Sequence, residues 1–243
     1  KLWTKKNEDN YLSEIKTKVD AIAIMAGAGY QISKELMKSM PNLKIIGCYG
    51  VGYDVVDINY AKSMGIKVTN TPEVLNDEVA DTAIALMLCV YKKIVEADKF
   101  VRNNTWVKYD FPYSRKFSGT KLGIVGMGRI GKVIARRAEA FDCEISYHCR
   151  NKKDVKYKYF SDLNQLAKKV DTLCVITPGG KETENLINKE VLSNLGKNGV
   201  IINVARGSVI DQDELIYSLE NNLILAAGLD VYNNEPNIPE KLI

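Results

Sequence analysis

The chain has 243 residues, 46% hydrophobic and 26% charged, enough for one large domain or two modest ones with a buried core. Its 34 Lys and Arg against 30 Asp and Glu leave a net charge of +4 without the basic stripe that nucleic acid demands, and no apolar run approaches the roughly 18 residues that span a bilayer. Neither a nucleic-acid partner nor a membrane segment is expected, residues 1–10 do not resemble a signal peptide, and a cytoplasmic protein is the expectation.

Five cysteines (Cys48, Cys89, Cys143, Cys149 and Cys174) are odd in number and lack CxxC spacing, so buried free thiols are expected rather than disulfides or a metal site. The chain opens on Lys1 and closes on Ile243 just after a proline-rich turn, and both ends read as cut.

In chain order, short apolar runs alternate with amphipathic stretches, the pattern of parallel strands joined by helices in a doubly wound α/β fold. Strands are predicted at 19–25, 44–48 and 66–69, with helices at 33–39 and 57–64. Apolar residues then recur three or four apart at Val79, Ala83, Leu86, Val90, Ile94, Ala97 and Val101, which predicts one long helix over 77–101 bridging two lobes. After a polar, aromatic loop at 102–120 the rhythm restarts, with strands at 121–125, 143–148, 171–176, 200–203 and 225–229. Helices are predicted at 130–140, 162–168, 189–195 and 211–221, and no internal repeat is visible.

The sharpest local signal is the strand that runs into Gly126-Met127-Gly128-Arg129-Ile130-Gly131 and on into a helix. In that setting the first glycine permits a tight turn, the second lets backbone approach a pyrophosphate, and the third lets helix pack on strand. The alternative is a glycine-rich turn with no ligand. The next strand ends Tyr147-His148-Cys149-Arg150-Asn151-Lys152-Lys153, without the carboxylate that binds a ribose 2′-hydroxyl in the usual NAD pattern. Arg150, with Asn151 and Lys152, suits a 2′-phosphate and so favours NADPH over NADH; the other reading is a solvated basic turn. His148, the sole histidine, lies at the adenosine end of such a site and is a poor general acid.

Asn203-Val204-Ala205-Arg206-Gly207 opens a loop at the carboxyl end of an apolar strand, where α/β sheets place ligands. Arg206 there is either a bidentate clamp for an α-keto acid carboxylate or half of a structural salt bridge. Glu235 follows another strand end and, by itself, reads as a solvated loop carboxylate.

Together these segments resemble the D-isomer-specific 2-hydroxyacid dehydrogenases, in particular the glyoxylate/hydroxypyruvate reductase and hydroxyphenylpyruvate reductase branch. The likeness covers nearly the whole chain: Gly50-Val51-Gly52-Tyr53-Asp54, Val68-Thr69-Asn70-Thr71-Pro72, Glu78-Val79-Ala80-Asp81, the glycine turn, Thr177-Pro178-Gly179-Gly180, residues 203–207 and Gly228-Leu229-Asp230-Val231. The resemblance implies two Rossmann-like lobes with parallel sheets, a substrate lobe at 1–76 and a dinucleotide-binding domain at 77–243, with the active site in the cleft between them and a homodimer as the assembly. It implies NAD(P)H-dependent reduction of a small 2-keto acid to the D-2-hydroxy acid, NADP(H) being preferred and NAD(H) possible.

Position by position, it implies that the Val51 and Gly52 amides hold the substrate carboxylate and that Arg206 is the catalytic arginine. Glu235 becomes the glutamate that raises the pKa of a catalytic histidine. Gly126, Met127, Gly128, Arg129, Ile130 and Gly131 become cofactor ligands, with Arg150, Asn151 and Lys152 at the 2′-phosphate and Thr177, Pro178, Val204, Ala205 and Asp230 near the nicotinamide half. The family's histidine, in a Pro-His-x-Gly segment, has no counterpart in residues 1–243, so the piece by itself is expected to be inactive. Other substrates of the family, such as phosphoglycerate or a sugar acid, stay open, as does a dinucleotide-sensing module of the co-repressor kind.

Overall fold

The computed structural model describes residues 8–25 and 30–243, and these form two compact units, Lys1–Leu75 and Asn76–Ile243. The first unit contains α1 (Glu8–Ile15), β1 (Ala21–Met25), α2 (Lys34–Lys38), β2 (Ile45–Tyr49), α3 (Ile58–Ser63) and β3 (Lys67–Thr69). Its strands make a parallel sheet in the order β1-β2-β3, with Ile22 opposite Ile46 and Ile46 opposite Val68. Ile24, Ile46 and Cys48 from the sheet are buried with Met37 of α2, Ala61 of α3 and Ile66. Each buried aliphatic side chain contributes about 1.5–3 kcal/mol. Ser33 and Asp57 cap α2 and α3 by accepting from the Leu36 and Tyr60 amides. Residues 8–15, given no element in the sequence reading, are helical, and Leu12 packs against this core.

The second unit contains α4 (Asn76–Lys92), α5 (Ile94–Arg102), β4 (Lys121–Val125), α6 (Arg129–Glu139), β5 (Glu144–His148), β6 (Lys158–Phe160), α7 (Leu163–Ala167), β7 (Thr172–Val175), α8 (Lys189–Leu195), β8 (Val200–Asn203), α9 (Gln212–Glu220) and β9 (Ala226–Leu229). All six strands are parallel, in the order β6-β5-β4-β7-β8-β9. Counted from β4, that is the 3-2-1-4-5-6 order of a doubly wound sheet, with its switch point between β4 and β7.

A parallel sheet must be covered on both faces, and alternation along the strands supplies both. Leu122, Ile124, Tyr147, Cys174, Val200 and Ile202 face one core with Ala83 and Met87 of α4 and Ile134 and Ala138 of α6. Val125, Leu173, Val175 and Ile201 face the other, with Leu166 of α7, Leu192 of α8 and Leu215 of α9. Near the end of α4, Tyr91 Oη lies 2.8 Å from Thr172 Oγ1, pairing two buried hydroxyls inside the first core.

Two expectations need correction. The single helix over 77–101 is broken at Lys93, whose φ of 54° is left-handed, and the chain restarts as α5. No residue of α5 is buried, so its apolar spacing buys no packing that would hold it in line with α4. The edge strand β6 was not anticipated. Among the described residues no helix is long and apolar enough to cross a membrane, all five cysteines are free, and no cluster of potential metal ligands occurs. Cys48, Cys143 and Cys174 are buried, whereas Cys89 and Cys149 are half-buried.

Candidate functional site

Because the six strands of the second unit are parallel, their carboxyl ends share one edge, and the loops there carry every site residue predicted in that unit. β4 delivers the glycine turn, β5 delivers Arg150, Asn151 and Lys152, and β7 delivers Thr177 and Pro178. β8 delivers Val204, Ala205 and Arg206, while β9 delivers Asp230 and, five residues further, Glu235.

Each glycine of the turn meets a different constraint. Gly126 has φ +113°, and a Cβ there would stand 2.6 Å from the Ile176 carbonyl oxygen. A Cβ on Gly131 would fall 2.1 Å from the Gly126 carbonyl oxygen, so only glycine lets α6 start this close to β4. Gly128 differs: nothing lies within 4 Å of its notional Cβ, leaving open space in front of the backbone. It is also the N-cap of α6 and offers no side-chain acceptor, whereas α7, α8 and α9 are capped by Asp162, Asn188 and Asp211. With no side-chain cap, the start of α6 turns the positive end of its helix dipole toward an anion. Beside the turn, Thr177 Oγ1 is buried without a hydrogen-bond partner. An open cradle, an uncapped helix start and an orphaned hydroxyl fit a dinucleotide. Met127 is fully buried in the core, so only its backbone can serve a ligand.

The basic turn after β5 is pinned from below. Tyr147 Oη donates to the Lys153 carbonyl at 3.0 Å and accepts from the Lys153 amide at 2.9 Å, and Tyr159 Oη donates to the Cys149 carbonyl at 3.1 Å. Arg150 itself is exposed and forms an ion pair through Nη1 with Glu182 Oε2 of the loop after β7. His148 places Nδ1 3.0 Å from the Phe160 carbonyl oxygen, and its own carbonyl accepts from the Gly126 amide at 2.9 Å. It supports the edge of the glycine turn.

Asn203, at the end of β8, is 1% exposed and folds its side chain back on the loop: Oδ1 accepts from the Ala205 amide and Nδ2 donates to the Arg206 carbonyl, both at 3.0 Å. Half-buried Arg206 also donates from Nη1 to the Ala205 carbonyl at 2.7 Å. The next residue, Gly207, touches the Glu235 loop so closely that a Cβ would lie 2.1 Å from the Tyr232 carbonyl carbon. Glu235 Oε1 accepts from the Tyr232 amide at 2.9 Å. The loops bearing Arg206 and Glu235 therefore abut, backbone against backbone.

Neither the bracing role of Asn203 nor the Arg150 to Glu182 pair was foreseen. The first had a signal, since asparagine at a strand end before a tight turn tends to bond its own backbone two residues on. The second joins residues 32 apart and had none.

In the first unit, Val51 and Gly52 follow β2, also at a carboxyl end. Gly50, at φ +137°, turns the chain, its amide donates to Thr71 Oγ1 at 3.0 Å, and Asn70 Nδ2 donates to the Val51 carbonyl at 2.8 Å. Among the described residues no partner accepts from the Val51 or Gly52 amides.

The sheet order, the glycine turn at its switch point and the uncapped helix start define a dinucleotide-binding α/β protein. Comparison with known proteins narrows this. Residues 84–243 match the D-isomer specific 2-hydroxyacid dehydrogenase, NAD binding domain, and residues 1–141 match the catalytic domain of the same family. The chain belongs to the D-isomer specific 2-hydroxyacid dehydrogenase family. It is 43% identical over 241 residues to hydroxyphenylpyruvate reductase of Plectranthus scutellarioides, covering 99% of this chain and 76% of that one. It is 40% identical over 243 residues to glyoxylate/hydroxypyruvate reductase A of Arabidopsis thaliana, covering 100% and 77%. Among solved structures it resembles the NADPH-dependent glyoxylate/hydroxypyruvate reductase of Sinorhizobium meliloti in complex with NADP and malonate, at 44% identity and a TM-score of 0.89 over 94% of this chain and 71% of that one.

Proposed function

We propose that the protein reduces a small 2-keto acid of the glyoxylate, hydroxypyruvate or hydroxyphenylpyruvate type to the D-2-hydroxy acid, using NADPH in preference to NADH. The observation that carries this reading is Arg206, half-buried at the sheet's ligand edge on a loop braced by the buried Asn203 side chain. The reductase names of the similar plant and bacterial proteins support the substrate class, and the NADP complex of the Sinorhizobium protein supports the cofactor.

A bound NADPH would supply hydride for the substrate carbonyl carbon. The chain's own residues bind and orient. Arg206 holds the carboxylate through two parallel, charge-assisted hydrogen bonds, and its charge favours electron density gathering on the neighbouring carbonyl oxygen. The turn beyond Gly126 and the uncapped start of α6 would hold the diphosphate, the Gly126 amide being spent on the His148 carbonyl. Arg150, Asn151 and Lys152 receive the 2′-phosphate, and Thr177, Pro178, Val204, Ala205 and Asp230 line the nicotinamide half. Glu235 places a negative charge beside the proton-donating group. His148 takes no proton step, because it ends β5 at the adenosine side of the glycine turn, with Nδ1 on the Phe160 carbonyl.

The working assembly is a homodimer. Supporting this, α5 buries none of its residues, and Val101, Trp106, Val107, Tyr109 and Tyr113 on it and the segment after it are 56–101% exposed, an apolar strip suited to a second copy. Five free thiols accord with a reducing, cytoplasmic setting.

The test is Arg206→Lys in the full-length protein. Lysine keeps the charge but not the planar fork, so kcat/KM should fall at least about tenfold while the Kd for NADP+ stays unchanged. Near wild-type kcat/KM in that variant would remove Arg206 from the site.

A further inference from the structure

The sheet order places β4 between β5 and β7. Arg150 follows β5 and Glu182 follows β7, so their ion pair ties together two loops whose strands stand two spacings, roughly 10 Å, apart, on either side of the strand that delivers the glycine turn. Both ends are locally rigid. The Arg150 turn is pinned by Tyr147 and Tyr159. The Glu182 turn is closed by Thr183, whose Oγ1 donates to the Pro178 carbonyl at 2.7 Å and whose amide donates to the Gly180 carbonyl at 3.0 Å, with Gly180 at φ +120°. Neither backbone must move for the side chains to meet.

We infer that Glu182 is a specificity-determining residue that competes with the cofactor's 2′-phosphate for Arg150 and so restrains the preference for NADP(H) over NAD(H). The inference rests on the reading that Arg150 receives that phosphate. A phosphomonoester carries about −1.5 to −2 charges at neutral pH, so it must take the guanidinium from Glu182. NAD(H) lacks the group and leaves the ion pair as it is. Both partners are largely exposed, at 81% and 76%, so the competition is modest and screened by salt. Removing the carboxylate should tighten binding of 2′-phosphorylated ligands about two- to five-fold at low ionic strength and less in high salt.

The experiment measures equilibrium dissociation constants of the full-length protein for NADP+, NAD+ and 2′-AMP by calorimetry at low and high salt. It compares wild type, Glu182→Gln, Arg150→Ala and the double variant. The expected result is that Glu182→Gln tightens NADP+ and 2′-AMP but not NAD+, and that this gain vanishes on the Arg150→Ala background. If Arg150→Ala weakens NADP+ while Glu182→Gln leaves it unchanged, weakens it, or shifts NAD+ equally, the competition is overturned and the phosphate-binding role of Arg150 stands. If Arg150→Ala leaves NADP+ affinity unchanged, that role itself fails, and the competition with it.

Discussion

Replacing Gly207 by alanine tests whether the close approach of the Arg206 and Glu235 loops is required. The new Cβ would stand 2.1 Å from the Tyr232 carbonyl carbon, 2.2 Å from its oxygen and 2.4 Å from the Asn233 nitrogen. These are backbone atoms, which cannot swing aside as a side-chain tip would. The loop they belong to is tied down: the Asp230 amide donates to the Asn203 carbonyl at 3.0 Å, the Tyr232 amide to Glu235 Oε1 at 2.9 Å, and the Asn233 amide to Gln212 Oε1 at 3.2 Å. Overpacking of this kind costs about 1–3 kcal/mol, and each hydrogen bond broken by the shift adds ~0.5–1.5 kcal/mol. A loss of about 2–4 kcal/mol is expected. Gly207 is not among the residues with positive φ, so without the clash alanine would instead stabilise by ~0.4–1 kcal/mol through the unfolded chain. The sign therefore decides. Urea unfolding of wild type and variant, with m held in common, gives the difference, and a Gly207→Ala protein as stable as wild type or more so would refute the reasoning.

Gly128→Ala should behave in the opposite way. With no atom within 4 Å of the added Cβ, its stability is expected to stay within about 0.5 kcal/mol of wild type, while the Kd for NADP+ rises at least about tenfold because the methyl occupies the path of the diphosphate. Thermal melts and calorimetry on one sample check both halves. Burial pushes the Cys174 thiol from its ordinary 9.0 up to about 12. The unfolded thiol ionises first, so the contribution of this group to stability is full below pH 9 and is lost as pH rises from 9 toward about 12. Wild type should therefore lose more stability over that window than Cys174→Ala, read as the difference in urea midpoints, and in the native protein Cys174 should stay silent to a thiol reagent at pH 8.

What could be read in the sequence follows from where the information resides. β4, β7 and β8 are apolar runs because a central parallel strand is buried on both faces, and that pattern is local. The glycine turn was legible for the same reason, since backbone constraint is written in residue type. β6 was not: it is three residues long, opens with Lys158 and owes its strand geometry to pairing with β5. The break at Lys93 carries no glycine or proline, and α5 beyond it buries none of its residues, its Phe100 meeting Phe111 of the following loop rather than the core under α4. Asn203 was quoted within a motif, yet its two bonds to residues 205 and 206 became visible only in the folded loop. The Glu182 contact is purely tertiary.

The measurement that bears most directly on the account is steady-state reduction by the full-length protein of hydroxypyruvate, glyoxylate and hydroxyphenylpyruvate, each with NADPH and with NADH. Turnover of at least one of these acids, with a higher kcat/KM for NADPH than for NADH, is the predicted result. Absence of turnover with all three, or a higher kcat/KM with NADH, would contradict it.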